Sequence, residues 1–355
     1  MKTGIMPKAS SMPFRFGWSD AVLSKRISFK RRSVSKDALK RMIAKDAKSR
    51  IRTDFKSTEQ FIKGNGFARY DGDVKRYAEY LESMPRNDFL VVTYIGKIQN
   101  NLKVEFKNPD LSTLAYLNRL DSFAKALQGF TGRRTRIRLA MENDVFDSSI
   151  FIGVKPSHTR RMMDGTRKFA SEFGLKNVEC VPLSSVIGGK AYKKAFGEYV
   201  DHWTRHWDEL RKVKNFESMF YTPFTSYPTQ TFEEAVRLYT TSKGLKKVKD
   251  WTKRSVIRYS AFHDARTKTD FWNLKQNRGY IRSTVSGRPE VLSFDYSMGR
   301  IAALHGMAAT NKGRLDTEYF YDIVRANRSN NVNLDVWHYK GVPFYTDVSR
   351  LNMKL

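Results

Sequence analysis

Two lysines, Lys97 and Lys103, flank a polar stretch (Gly96-Lys97-Ile98-Gln99-Asn100-Asn101-Leu102-Lys103) that follows the β-branched and aromatic run Leu90, Val91, Val92, Tyr94, Ile95. Ammonium groups on such a loop either stand in solvent or hold a phosphate, and ligands of open α/β sheets collect where strands end. Arg282, in Ile281-Arg282-Ser283, adds a planar fork suited to phosphate or carboxylate. His305 comes after the apolar run Ile301-Ala302-Ala303-Leu304 and before Gly306. It reads either as a structural histidine or as a group that exchanges protons near neutral pH.

The elements around these residues have clear signatures. The run from Phe89 to Ile95 reads as a mostly buried strand. Pro109 suits a first helical turn and Asp110 complements the helix dipole; Leu111, Leu114, Ala115, Leu117, Leu120, Phe123, Ala124 and Leu127 then recur at helical spacing until Gly129 and Gly132. Ile137, Leu139 and Met141 alternate with arginines as in a half-buried strand that leads to Glu142-Asn143-Asp144. The unit is strand, polar loop, helix, strand.

The flanks extend this pattern. Ser35 is expected to cap a helix to about Arg52, and residues 73–84 read as helical before Pro85. A strand over 145–154, a helix from Ser157 to Phe173 ended by Gly174, and a strand over 178–183 continue the alternation. Helices are expected over 192–214, from Thr231 (a capping box with Glu234) and over 245–274. Short strands over 280–285, 291–294 and 301–304, a helix over 317–326 and a hairpin turning at Lys340-Gly341 complete the chain. The expected class is α/β, a Rossmann-like mixed sheet flanked by helices, with a basic N-terminal extension and a β-rich C-terminal part. Residues 1–33, with one acidic residue (Asp20), form a basic flexible arm in this reading; 34–86 are a helical region and 87–355 the α/β domain.

Composition sets limits. The chain has 355 residues, of which 40% are hydrophobic, enough for a substantial core. Its one cysteine, Cys180, excludes an internal disulfide framework. No stretch approaches the roughly 20 apolar residues of a membrane-spanning helix. No secretory apolar core opens the sequence, so a cytoplasmic location is expected, with organelle targeting by the basic N-terminus or a virion as alternatives. A phosphate loop ending in Gly-Lys-Ser/Thr and a Gly-x-Gly-x-x-Gly turn are both missing. His202 and His206 have metal-ligand spacing, but the segment is His-Trp-Thr-Arg-His without the zinc-protease glutamate, and no metal is assigned.

Against these residues, the order of motifs resembles the isonitrile (isocyanide) synthase family of pyoverdine and dityrosine biosynthesis enzymes. That family has a strand leading to Phe-Pro-x-Lys-Ser-x-Asn, a nearby Lys, and Pro-Asp opening a Leu-rich helix. Similar here are Tyr94-Ile95-Gly96-Lys97-Ile98-Gln99-Asn100, Lys103 and Pro109-Asp110-Leu111. A strand ending in Ser-Asp-Gly-x-Val-Phe is similar to Met141-Glu142-Asn143-Asp144-Val145-Phe146, an Ile-Arg-Leu-Ser-Ile-His strand to Ile281-Arg282-Ser283-Thr284-Val285-Ser286, and a Trp-His-Gly segment to Leu304-His305-Gly306. The closing Gly341-Val342-Pro343-Phe344-Tyr345 is similar too. The likeness spans about residues 88–347; Pro is missing before Lys97, Glu142 replaces an Asp, and Ser286 stands where the strand histidine would be. The resemblance implies joining the amine of an aromatic amino acid to a carbon from ribulose 5-phosphate. Lys97, Asn100, Lys103 and Arg282 would bind substrate, His305 and Glu142 would serve as acid and base, and no cofactor is implied.

The net charge suggests a reading of another class. There are 65 Lys and Arg against 36 Asp and Glu, a formal +29. Such an excess attracts polyanions over a distance. It suits a non-catalytic protein that binds or encapsidates RNA or DNA, with Arg15, Lys25, Arg26, Lys30, Arg31 and Arg32 as contacts. The oligomeric state is open, a homo-oligomer included.

Overall fold

The computed structural model describes residues 26–65, 74–75, 78–79, 81–82, 89–94, 109–132, 134, 136–141, 156–182, 189–214, 216–217, 219–220, 237–238, 241–269, 280–282, 307–311, 314–318, 331–349 and 351. The class is α/β, as expected. Parallel and mixed pairing are divided between two sheets. One has four parallel strands in the order β4 (Val178–Pro182), β3 (Arg136–Met141), β2 (Phe89–Tyr94), β5 (Tyr280–Arg282). The other has five, in the order β1 (Arg26–Ser33), β8 (Asn331–Tyr339), β9 (Val342–Asp347), β6 (Met307–Asn311), β7 (Arg314–Glu318). Its pairings are parallel for β1 with β8 and β6 with β9, and antiparallel for the other two.

Helices α1 (Lys36–Arg50), α2 (Thr58–Gly64), α3 (Leu111–Thr131) and α4 (Pro156–Glu172) pack around these sheets. The connections β2-α3-β3 and β3-α4-β4 are the crossovers that parallel strands require. Helix α3 touches β3 and β4 of the parallel sheet and β6, β7 and β9 of the mixed one, so it lies between the two sheets. Leu111, Leu114, Tyr116, Leu117, Leu120 and Phe123 are therefore fully buried on several sides of the helix. Gly132, at φ 65°, closes it with its N–H on the Gln128 carbonyl.

A helix buried all round must pair its polar residues internally. Arg119, with no exposed surface, donates through Nε (2.5 Å) and a terminal nitrogen (2.6 Å) to the two oxygens of Asp46 on α1. Asp121 accepts from the backbone N–H (2.8 Å) and side chain (3.1 Å) of Asn177, just before β4, and pairs with Lys125 at 2.6 Å. These contacts tie α1 and the start of β4 to one helix.

Helix α4 ends at Gly174, with φ 69°, and joins the hairpin β8-β9. Phe169 packs edge-on to Phe344, and Phe173 against Tyr339. Lys340 and Gly341, both at positive φ, form the tight turn, and Lys340 reaches Glu172 at 2.6 Å while the Tyr339 hydroxyl donates to the same carboxylate. Burial alone would raise the Glu172 pKa, but the hydrogen bonds from Lys340 and Tyr339 outweigh it and hold the carboxyl below its usual range.

Several expectations are revised. Residues 26–33 are not arm but strand, paired residue for residue with 331–338. The helix expected over 192–214 starts earlier and breaks at His206 into α5 (Gly189–Arg205) and α6 (Trp207–Leu210). Thr317 and Glu318, read as a helix start, belong to β7, because pairing with Met307 and Ala308 overrides local helix preference. The strand β6 at Met307–Asn311 was not expected. The last long helix, α7, runs Ser242–Lys268. It packs on α5 around Leu210, Val256 and Ile257, a cluster separate from the core around α3. The strands expected over 145–154, 291–294 and 301–304 and the helix from Thr231 fall outside the described residues.

Replacing Asp46 with Ala, which leaves Arg119 buried without its carboxylate, is expected to destabilise the fold by about 3–5 kcal/mol in urea titration. The double change Asp46→Leu with Arg119→Met should recover most of that loss. Glu172→Gln is expected to cost about 1–2 kcal/mol at pH 7. Because the folded pKa of Glu172 is depressed, this contribution is present above the unfolded value of about 4.5 and lost as pH falls through the folded one. The melting temperatures of Glu172→Gln and the parent chain should therefore converge in acid.

Candidate functional site

The parallel sheet determines where a ligand site can form. From β2 the chain builds outward to β3 and β4, then returns to add β5 on the other side of β2. In open parallel sheets ligands collect outside the carboxyl ends of the strands, and the ends to consider here are those of β2 and β5. At that edge Tyr94 is level with Met141, Met141 with Pro182, and Arg282 with Thr93. Arg282, the last residue of β5, thus stands beside the end of β2.

The N-terminus of α3 is directed to the same edge, as a strand-helix-strand unit requires. Asp110, fully buried, caps it by accepting from the backbone N–H of Ser112 (3.0 Å) and Thr113 (3.3 Å) and from the Ser112 hydroxyl (2.5 Å). A carboxylate already occupies the N–H groups that would otherwise attract an anion. A phosphate at this edge would need side-chain cations instead. Pro109, next to the cap, lies against Gly165 of α4, where an added Cβ would come within 2.6 Å of the proline ring. Glycine there lets α4 approach the first turn of α3.

The residues singled out in the sequence are treated unequally by the structure. Lys97, Asn100, Lys103, Glu142 and His305 lie outside the described residues; Tyr94 and Met141, which precede the first four, end β2 and β3. Met307, two residues after His305, opens β6 in the mixed sheet. Arg15 and Lys25 are also outside, and Arg26 is paired in register with Asn331. Lys30 and Arg31 are exposed on β1. Arg32 is the correction: it is half-buried, pairs with Asp335 at 3.1 Å and lies over the Trp337 ring at 5.8 Å, so its charge is committed within the sheet. A strand sends alternate side chains to opposite faces, and a basic run cannot offer every member to one partner.

Two other residues have structural roles. His202 and His206 stack with ring centroids 4.4 Å apart, and His206 Nδ1 is 2.9 Å from the His202 carbonyl oxygen. Among the described residues no group of three or more His, Cys, Asp or Glu is arranged to hold a metal ion. Burial pushes the Cys180 thiol up to about 12, well away from a reactive thiolate at neutral pH. Sequence reasoning missed Asp46, Arg119, Asp121 and Gly165. The one available signal was an arginine inside an otherwise apolar helical pattern.

No protein-family model and no curated protein matches the sequence. Among solved structures, the crystal structure of PvcA from Pseudomonas aeruginosa superimposes with a TM-score of 0.57 over 87% of this chain and 99% of that one, at 15% identity. The chain shares the fold of PvcA.

Gly165→Ala is expected to destabilise the protein by about 1–3 kcal/mol, because the proline ring cannot move aside as a flexible side chain would. Chemical denaturation measures it, with Gly129→Ala as the comparison. No atom lies within 4 Å of a Cβ at Gly129, and that change should be neutral or stabilising.

Proposed function

We propose that this chain is an isonitrile synthase-like protein that condenses the amine of an aromatic amino acid with ribulose 5-phosphate in the crevice outside β2 and β5. The observation that carries this reading is the strand order β4-β3-β2-β5, which sets Arg282 beside the end of β2 in a fold shared with PvcA. Lys97, Lys103 and Arg282, with Asn100, hold the phosphate and sugar. This answers the Asp110 cap, which removes two backbone donors of α3 from use by an anion. The amine attacks the ketone carbon and water leaves to give an imine; His305 and Glu142 move the protons. Fold alone does not carry an activity, and the proposal rests on these residues.

A second reading, a non-catalytic protein that binds or encapsidates nucleic acid, draws on the net charge of +29 and on the exposed Lys30 and Arg31. Removing residues 1–33 would strip β1 from β8, so the informative truncation stops at residue 25.

Incubating the purified chain with tyrosine or tryptophan and ribulose 5-phosphate is expected to yield an isonitrile detectable by mass spectrometry. Lys97→Ala should raise KM for the sugar phosphate by about tenfold or more, the scale of one lost charge-assisted contact. No product with any aromatic amino acid, where an active isonitrile synthase works alongside, removes the catalytic proposal.

A further inference from the structure

The first four turns of α7 carry a run of exposed cations, and the earliest of them lie where a helix least tolerates positive charge. Lys243, Lys246 and Lys247 lie in its first two turns, and no acidic residue stands in the first. The macrodipole makes this end positive, so each ammonium there is repelled by the helix itself. The cap is neutral, the Thr241 hydroxyl accepting from the Gly244 N–H at 3.1 Å. Lys249, Lys253 and Arg254 extend the same exposed side, with Asp250 the single acidic residue among them. None of Lys243, Lys246, Lys249, Lys253 and Arg254 has a carboxylate partner among the described residues; Lys253 lies over the Trp207 ring at 5.2 Å.

Helix α1 provides the contrast. It also exposes cations, Lys40, Arg41, Lys45 and Lys48, but has Asp37 in its first turn and Lys48 and Arg50 in its last. Lys36, Lys40 and Arg41 also stand in its first two turns, so what sets α1 apart at this end is its acidic residue. The first turn of α7 has no acid beside its lysine, and its exposed cations continue to Arg254 with Asp250 alone among them.

We infer that the exposed N-terminal half of α7 is a docking surface for the sugar-phosphate backbone of nucleic acid. This rests on the second reading above and assigns it a place other than the N-terminal arm. From Lys243 to Arg254 the stripe is about 17 Å long at 1.5 Å per residue, matching several consecutive phosphates. No hydrophobic residue is exposed between the cations, which suits a phosphate chain and not a protein interface with an apolar centre. The opposite side, with Val248, Thr252 and Val256 fully buried, is turned inward, so no apolar face remains to enter a lipid surface.

The test uses the full chain and a labelled oligouridylate of about 20 nucleotides, with affinity followed by anisotropy from about 50 to 300 mM NaCl. The parent chain should bind with a steep salt dependence. The triple change K243Q/K246Q/K249Q should flatten the log-log slope by about 2, roughly 0.7 per phosphate contact, and lower affinity at least tenfold at about 100 mM salt. The matched triple K40Q/K45Q/K48Q on α1 should change affinity by less than about threefold, the effect of net charge alone. The α7 variant should also melt no lower than the parent, since it relieves repulsion at the helix end. The single changes K243Q, K246Q and K249Q should each remove about 0.7 of slope, so the result does not depend on the triple variant folding. Equal losses from the α1 and α7 triples, or an unchanged slope, overturn the assignment to α7 while nucleic-acid binding stands. No binding by the parent chain at about 50 mM salt, or binding only to vesicles of phosphatidylserine and phosphatidylcholine, overturns both.

Discussion

The fold depends on burying a helix that is not purely apolar. Helix α3 lies between two sheets, and in that position the Arg119 guanidinium has no access to water. The two short hydrogen bonds to Asp46 make this possible, and the same contact seats α1 against α3. Asn118 adds a hydrogen bond at 2.9 Å to the Ile43 carbonyl one turn away on α1. Asp121 does the corresponding work at β4 through Asn177. Removing any of these acceptors would leave a buried donor unpaired, so polar contacts determine how α1, α3 and β4 meet.

With α3 held in this way, β2 and β3 lie parallel and β5 pairs on the free side of β2. The strand edge proposed for the ligand follows from that order and not from any single motif. Asp110 stabilises the start of α3 by occupying N–H groups that many phosphate-binding proteins leave open, so those groups are not available to an anion. The fold itself is shared with PvcA.

The positive charge is divided among unlike roles. Arg32 and Arg119 are committed to internal carboxylates, and Arg138 pairs across the sheet with Glu179 at 3.2 Å. The first turn of α1 sets Asp37 beside Lys36, and the first turn of α7 has lysine without an acid. A formal +29 is therefore not one uniform field. Placement separates charge that serves stability from charge that opposes it.

Much of the fold was legible in the residues themselves. The Ser35 cap, the helix from Asp110 to Gly132, the glycine end at Gly174, the strands β2, β3 and β4 and the turn at Lys340-Gly341 rest on periodicity and on the chemistry of caps and turns, which act over a few residues. The candidate site was legible only as a set of residue types, of which Arg282 alone has a described position at the strand ends. The sequence by itself determined the α/β class, the local elements and the excess of positive charge. Only the tertiary structure decided that Arg26–Ser33 is a strand, that Thr317 pairs instead of starting a helix, and that Arg119 meets Asp46. Those outcomes come from partners far apart in the chain, 305 positions for Ser28 and Asn333, where local preference is overruled by which strand is there to be paired and which charge there to be neutralised.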